Sequence, residues 1–531
     1  MNQTSAFFPR RDFLARAGIG FAAISAGMKL AVLVLTLSPV CGADSALDIS
    51  DRSQLCADKT WMGSSNHVDF TLHPGKKNQA NPLVKADKPW EGWRISIYGT
   101  VLFDQDEKLF KMWYVGDKTP DFPNFATYYA TSTDGLHWSK RPVGAIKSAK
   151  GLSEHNAVVD SCLLASIIND KTDPDPARRY KMTAWVQKPK PEGGPHTFLS
   201  PDGLHWTRLS EKPICRSNDV ITSYYDVERK LYVAFPKLST TVRGHVRRCF
   251  GMSTSKDFLT WTEPRYVFQP DQFDDDGSLA RIEAVRSMLD VPDDPALVRT
   301  EFYGIGTYRA ESCTLAFPWV FTINNESRYG NHEGPSEIQF AVSRNLDKWE
   351  RSFREPIVQR GKIGEWDSGF FTTSSHALRV GDEVWLYYGG SSYTHGTPCL
   401  YREQGTGRGD KYTGSIGLAT WKLDRFVSAG GTAEGATLTT VPVVFRGDRL
   451  ELNAATLPGG EVTVELLDLG GNTLANSKPF TGDNLRHRVE WIQAIDLPKL
   501  SSQPISLRFQ IKSASLFAFA FRQSSKDVPA R

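Results

Sequence analysis

At five places in this 531-residue chain, acidic, basic and indole side chains gather just ahead of an extended apolar segment. Trp90-Glu91-Gly92-Trp93-Arg94 precedes the run from Ile95, and His155, Asn156 and Asp160 flank the run from Val158. Arg216, Asn218 and Asp219 precede the run from Val220, Glu301 and Tyr303 open a fourth, and Glu365-Trp366-Asp367-Ser368 leads into a fifth from Phe370. Paired carboxylates are the groups that cleave glycosidic bonds: one protonates the leaving oxygen while the other activates water or attacks carbon. Crowding carboxylates raises their neighbours' pKa, which is how one member of a pair keeps a proton at neutral pH. Indole faces suit sugar rings, and arginines suit hydroxyl or acidic groups. Asp219 and Asp367 are therefore the leading catalytic candidates. Glu365 and Glu91 are alternates, and Asp160 is a residue that tunes a neighbour's pKa. Trp90, Trp93 and Trp366 are expected to stack on sugar. Arg94, His155, Asn156, Arg216 and Tyr303 are expected to bind its hydroxyl or acidic groups.

Residues so far apart meet only if the chain closes into a ring, and a repeat shows that it does. Ser132-Thr-Asp134-Gly135-Leu-His137-Trp138 recurs as Ser200-Pro-Asp202-Gly203-Leu-His205-Trp206. Looser copies are Ser255-Lys-Asp257-Phe-Leu-Thr-Trp261 and Ser343-Arg-Asn345-Leu-Asp-Lys-Trp349, and a worn fifth is Trp421-Lys-Leu-Asp424-Arg-Phe426. A period of roughly 55 to 90 residues marks a propeller or similar array. Each copy reads as four strands closed by a polar hairpin, so the expected fold is all-β, a five-bladed β-propeller over residues 44–430. Expected outer strands include 137–141, 260–263, 348–352 and 425–428. The repeat's Asp is a hairpin residue and its Trp is expected to wedge between blades.

In a propeller the inner strands all start at one end of the central channel, where the loops from second to third strands also lie. That end is the expected site. Asp104, Asp226, Glu311 and Asp382 fall in strand 1–2 hairpins at the other end and are excluded. The basic stretch Lys237, Arg243, His245, Arg247 and Arg248, with the insertion 391–414, would edge the mouth. A cationic edge on a neutral body hints at an anionic sugar.

After about Gly431 the strands shorten and alternate with polar residues, predicting a β-sandwich over 431–522 and a tail over 523–531. Residues 1–43 predict an export signal, twin-arginine-like at Arg10-Arg11 or Sec-type, making the protein periplasmic or extracellular. Their Arg10, Arg11, Arg16 and Lys29 against Asp12 account for the whole formal charge of +3, leaving a neutral body. That speaks against nucleic acid and, once the signal is cleaved, against a membrane surface. Six cysteines remain beyond residue 43 with no metal-ligand spacing, and most read as buried thiols. No cofactor or metal is expected, although the channel acids are compatible with a structural cation.

The stretch Asn81-Pro82-Leu83, Lys88-Pro89-Trp90-Glu91-Gly92, Tyr98-Gly99-Thr100-Val101 and Phe110-Lys-Met-Trp113-Tyr114 resembles bacterial exported proteins of the glycoside hydrolase family 32/43-like group. So does Gly381-Asp382-Glu383-Val-Trp385-Leu-Tyr-Tyr388. The resemblance implies a five-bladed propeller with a C-terminal sandwich, and glycosidase activity on a plant or algal poly- or oligosaccharide. The chain lacks the Asn-Asp-Pro-Asn-Gly and Glu-Cys-Pro phrases of family 32, so the site residues rest on geometry. Two other functions fit the same residues: a non-catalytic carbohydrate-binding propeller, and a glycoside phosphorylase with phosphate on the basic loop at 243–248.

Overall fold

The computed structural model describes residues 46–189, 192–327, 331–396 and 413–524. The expected export signal and most of the tail lie outside them. Five antiparallel sheets form the five blades. Their inner strands are Ile95–Asp104, Cys162–Asn169, Ile221–Asp226, Arg299–Arg309 and Phe371–Thr373. Their second strands are Leu109–Gly116, Tyr180–Val186, Leu231–Val242, Thr314–Ile323 and Glu383–Ser391. These carry alternating aromatic and aliphatic residues because sheets stack on both of their faces.

The repeat hairpins show how short motifs set blade spacing. In each of the first four copies the Ser hydroxyl and the side-chain Oδ1 of the Asp or Asn accept backbone N–H groups of the turn. The residue after the Asp or Asn adopts positive φ: Gly135 at 74° and Gly203 at 79°, but Phe258 at 65° and Leu346 at 67°. Glycine takes that conformation freely, so the third and fourth copies hold a strained turn by the same hydrogen bonds. Trp138, Trp261 and Trp349 each donate Nε1–H to the carbonyl three residues back. The indoles also pack on the preceding blade, as expected: Trp138 lies edge-on to Tyr387, and Trp349 to Phe235.

At the strand 1–2 hairpin end, buried ion pairs tie blades together. Lys111 Nζ reaches Asp104 at 3.2 Å, and Tyr180 of the next blade donates to the same carboxylate at 2.5 Å. The next blade repeats it, with Lys181 on Asp170 at 3.0 Å and Tyr232 donating to Asp170. Burial opposes ionisation of Asp104, but Tyr180 and Lys111 outweigh it and hold the carboxyl far below its usual range.

The outer strands depart from expectation. In blade one the outer strand is Ala157–Val159, because the chain breaks at Ser161, with φ 56°, before entering blade two. Residues 137–141 contribute a single bridge, Thr131 to Ser139. The outer strand of blade three is Arg265–Phe268, and residues 348–352 make one bridge, Val342 to Glu350. Blade five is closed by a segment from the other end of the chain, Lys76–Lys77, which pairs with Thr420 and Ala419. Val427–Gly431 joins the second sheet instead.

That second sheet corrects the expected boundary at 44. Met62–Asn66 and Asp69–Leu72 pair with Ala436–Thr440 and Val427–Gly431, so the segment before the propeller belongs to the C-terminal sheet. Its spine is the pair Arg449–Leu467 and Ser506–Arg522, interrupted by a register shift at Thr456 and Glu461 around Pro458-Gly459-Gly460. Both halves face one apolar core that includes Leu450, Leu452, Val462, Val464, Phe509 and Phe519. Cys56, Cys162, Cys249 and Cys313 are buried free thiols.

Candidate functional site

A cavity of about 990 Å³ opens where the inner strands begin. Residues 92–98, 163–164, 218–220 and 370–372 enter it from inner-strand starts, while 115–120, 185–187 and 389–391 enter from second-strand ends. This is the end that propeller geometry selects. Asp104, Asp226, Glu311 and Asp382 do not line it. They pair with Lys111, Arg229, Arg522 and Arg486 respectively.

Four of the expected site residues line the cavity: Asp219, Trp93, Arg94 and Tyr303. Asp219 sits at the entry to the third inner strand. Its Oδ1 accepts the Val220 N–H at 2.5 Å and pairs with the Lys237 ammonium. Oδ2 takes neither donor, and the side chain is 37 % exposed. The carboxylate is thus anchored through one oxygen, leaving the other for a ligand. Lys237 is buried, with Nζ 3.9 Å from the Tyr303 ring centre. Burial lowers its pKa, Asp219 opposes that and Arg248 reinforces it.

Across the cavity, Asp117 ends the second strand of blade one. It was not among the expected acids. Its Oδ1 accepts the Lys118 N–H at 2.8 Å, and Arg94 Nε lies 3.4 Å from Oδ2. Arg94 also donates to the Tyr393 hydroxyl at 2.9 Å and lies over Trp93, 5.0 Å from the ring centre. Burial pulls Arg94 down, but Tyr393 and Asp117 outweigh it and raise its pKa. Trp93 and Tyr393 have ring centres 5.6 Å apart, which makes an aromatic wall beside the carboxylate.

The floor is phenolic. Tyr98 lies on the first inner strand at a register shift between Ser96 and Thr100 that turns the strand locally. Burial raises the Tyr98 pKa well above its ordinary value, and Tyr303 and Asp219 add to it. Tyr303 is raised for the same reasons, burial first and Asp219 second. His395 Nδ1 donates to the His332 carbonyl at 2.6 Å, which leaves Nε2 to accept from Tyr303 at 3.2 Å. Burial, then Arg248, pushes His395 down to about 3, so the ring is neutral.

The other expected residues serve elsewhere. Glu91 is fully buried under the cavity wall and accepts from the Tyr114 hydroxyl at 2.5 Å, from Lys140 and from the Asp87 and Lys88 N–H groups. Asp367 is buried and holds Lys77 at 2.6 Å and the Tyr388 hydroxyl at 2.9 Å, fastening the closing strand to blade five. Glu365 is exposed and accepts the Lys362 N–H, and Asp160, also exposed, accepts the Ser161 N–H. Trp90 donates to Asn156 Oδ1 at 2.8 Å, and buried Asn156 donates to Tyr114 and the Tyr129 carbonyl. His155 is buried against Phe122. Arg216 is exposed and paired with Glu263 at 2.8 Å, and Trp366 stacks on Tyr388. None of these nine lines the cavity. Nor is the basic loop open for phosphate: Arg243 and Arg247 share Asp275, and Arg248 pairs with Glu301 at 2.6 Å. Tyr401 and Arg402 of the mouth insertion lie outside the described residues. Among those described, no group of three acidic, His or Cys side chains forms a metal site.

No protein-family model and no curated protein matches the chain. Solved structures that it resembles include a glycoside hydrolase family 43 arabinoxylan arabinofuranohydrolase from Bacillus subtilis in complex with cellotetraose, at 11% identity and TM-score 0.38, covering 86% of this chain and 99% of that one. An N-acetylgalactosamine deacetylase from F. plautii in complex with blood group B trisaccharide matches at 14% identity and TM-score 0.39, covering 72% and 97%. A glycosyl hydrolase from Bacteroides ovatus matches at 13% and 0.39, covering 66% and 94%.

Proposed function

We propose that this chain is an exported glycoside hydrolase whose reaction takes place in the axial cavity. The observation that carries the reading is that cavity itself. It presents two carboxylates from different blades, Asp219 and Asp117, beside an aromatic wall and phenolic hydroxyls. Asp219, anchored through Oδ1, offers Oδ2 to activate water or attack the anomeric carbon. Asp117 supplies the second carboxylate of the pair. Trp93 and Tyr393 stack on the sugar, and Tyr98 and Tyr303 bind its hydroxyls. The apolar stretch after Arg10-Arg11 supports export.

The test is release of reducing sugar from a panel of neutral, uronic-acid and sulfated plant and algal glycans, with and without inorganic phosphate. Phosphate-independent release is expected. Binding without release across the panel would favour a non-catalytic lectin-like propeller, and release only with phosphate would make the enzyme a phosphorylase.

A further inference from the structure

The charges on one wall of the cavity do not cancel. On the blade-one wall Arg94 and Lys118 face a single acid, Asp117, and Lys118 makes no salt bridge among the described residues. Lys118 is exposed, with its ammonium 5.4 Å from the Phe125 ring centre. Arg94 spends Nη1 on Tyr393 and Nε on Asp117, and Nη2 bonds none of the described residues. Behind the opposite wall, Lys237, Arg248 and Arg299 are matched by the acids Asp219 and Glu301, with Glu326 also acting on His332. Among the described residues, the blade-one wall therefore holds one positive charge more than its acid offsets.

The histidines register this field. Burial lowers His395 and His332, and Arg248 lowers both further, with Arg299 adding at His332. Both rings are thereby held neutral, so they add no charge of their own. In a partly dry cavity such an excess acts over the whole ligand, because screening is weak there.

We propose that the cavity selects an acidic sugar, its carboxylate or sulfate ester held between Arg94 and Lys118 while the ring lies on Trp93. This deepens the glycosidase reading and rests on it for the orientation of the ring. The planar guanidinium suits either oxyanion, and the mobile ammonium of Lys118 follows whichever is present. The charge is read on the blade-one wall because Lys237 and Arg248 are already committed to acids, whereas Arg94 Nη2 and Lys118 are not.

The test is calorimetric titration of the full wild-type chain, with each probe checked for cleavage by chromatography afterwards. The probes are tetragalacturonate, a sulfated κ-carrageenan tetrasaccharide, and cellotetraose and maltotetraose as neutral controls. At least one acidic probe is expected to bind about tenfold or more tighter than both neutral ones, as for one charge-assisted hydrogen bond. The preference should shrink as salt rises. Lys118→Ala should remove most of the preference and leave neutral binding unchanged, and Arg94→Met, which also frees Asp117, should abolish the preference. Preference for the galacturonate identifies a uronate site, and preference for the carrageenan a sulfate site. Equal or tighter neutral binding, no binding of any probe, or a preference that survives both substitutions overturns the proposal. Hydrolysis of neutral glycans without acidic preference would sink this inference and leave the glycosidase reading standing.

Discussion

Replacing Asp424 with Asn should stabilise the protein at pH 8 and do nothing at pH 4. Asp424 closes the worn fifth copy of the repeat, where its φ is 63°. Its Oδ2 accepts from the Ser53 hydroxyl at 2.8 Å, while Glu311 accepts the Ser53 N–H at 2.7 Å and is held by Arg522 at 2.8 Å. Burial raises its pKa to about 6 from 3.8; Glu311 adds to the rise, and Ser53, Arg379 and Arg522 oppose it. A rise of that size corresponds to about 3 kcal/mol. Water reaches the half-buried carboxyl, so the realised effect is nearer about 1–2 kcal/mol. The sign follows from linkage. A group whose folded pKa is raised contributes stability that is fully present below its unfolded value and lost as pH rises through the folded value, here between pH 3.8 and about 6. Asn keeps an acceptor for Ser53, tolerates the left-handed backbone and carries no charge at any pH. Urea unfolding of wild type and variant across this range isolates the group, because carboxylates away from Asp424 contribute alike to both. A variant advantage of about 1–2 kcal/mol at pH 8 that vanishes at pH 4 is expected. An advantage equal at both pH values, or a loss at pH 8, would refute the reasoning.

Two further outcomes follow from the buried ion pairs. Lys111→Met removes one partner of the buried Asp104 carboxylate but leaves Arg179 and Tyr180 on it, and should cost about 1.5–3 kcal/mol, of which Lys111→Met with Asp104→Asn should recover part in urea titrations. Lys77→Ala should loosen the strand that closes blade five, seen as faster amide exchange at Ala419 and Thr420. Asp367→Asn should share that phenotype while leaving turnover close to wild type, since Asp367 holds Lys77 and Tyr388 rather than the cavity.

The repeat made the blade number and the end of the channel that holds the cavity legible, because hairpin chemistry and strand alternation are local. What stayed hidden was non-local. Lys76–Lys77 pairs with residues more than 340 positions away, and nothing in a two-residue strand announces its partner. The same gap disguised Asp367: an acid ahead of an inner strand looks available until Lys77 is placed on it. Glu91 misled for a related reason, since its buried partners Tyr114 and Lys140 lie on later segments of blade one. Asp117 had a readable signal. It follows the second strand through Gly116 and enters a loop that propeller geometry sends to the cavity, but inner-strand openings drew the search away from it. Lys118 was missed in the same way.

The central claim is that Asp219 does chemistry in the cavity. Turnover and binding should be measured side by side for wild type and Asp219→Asn on whichever glycan the panel shows to be cleaved. A fall in kcat of about 10²–10⁴-fold with glycan affinity and unfolding midpoint preserved is expected. Wild-type kcat in Asp219→Asn would contradict the account.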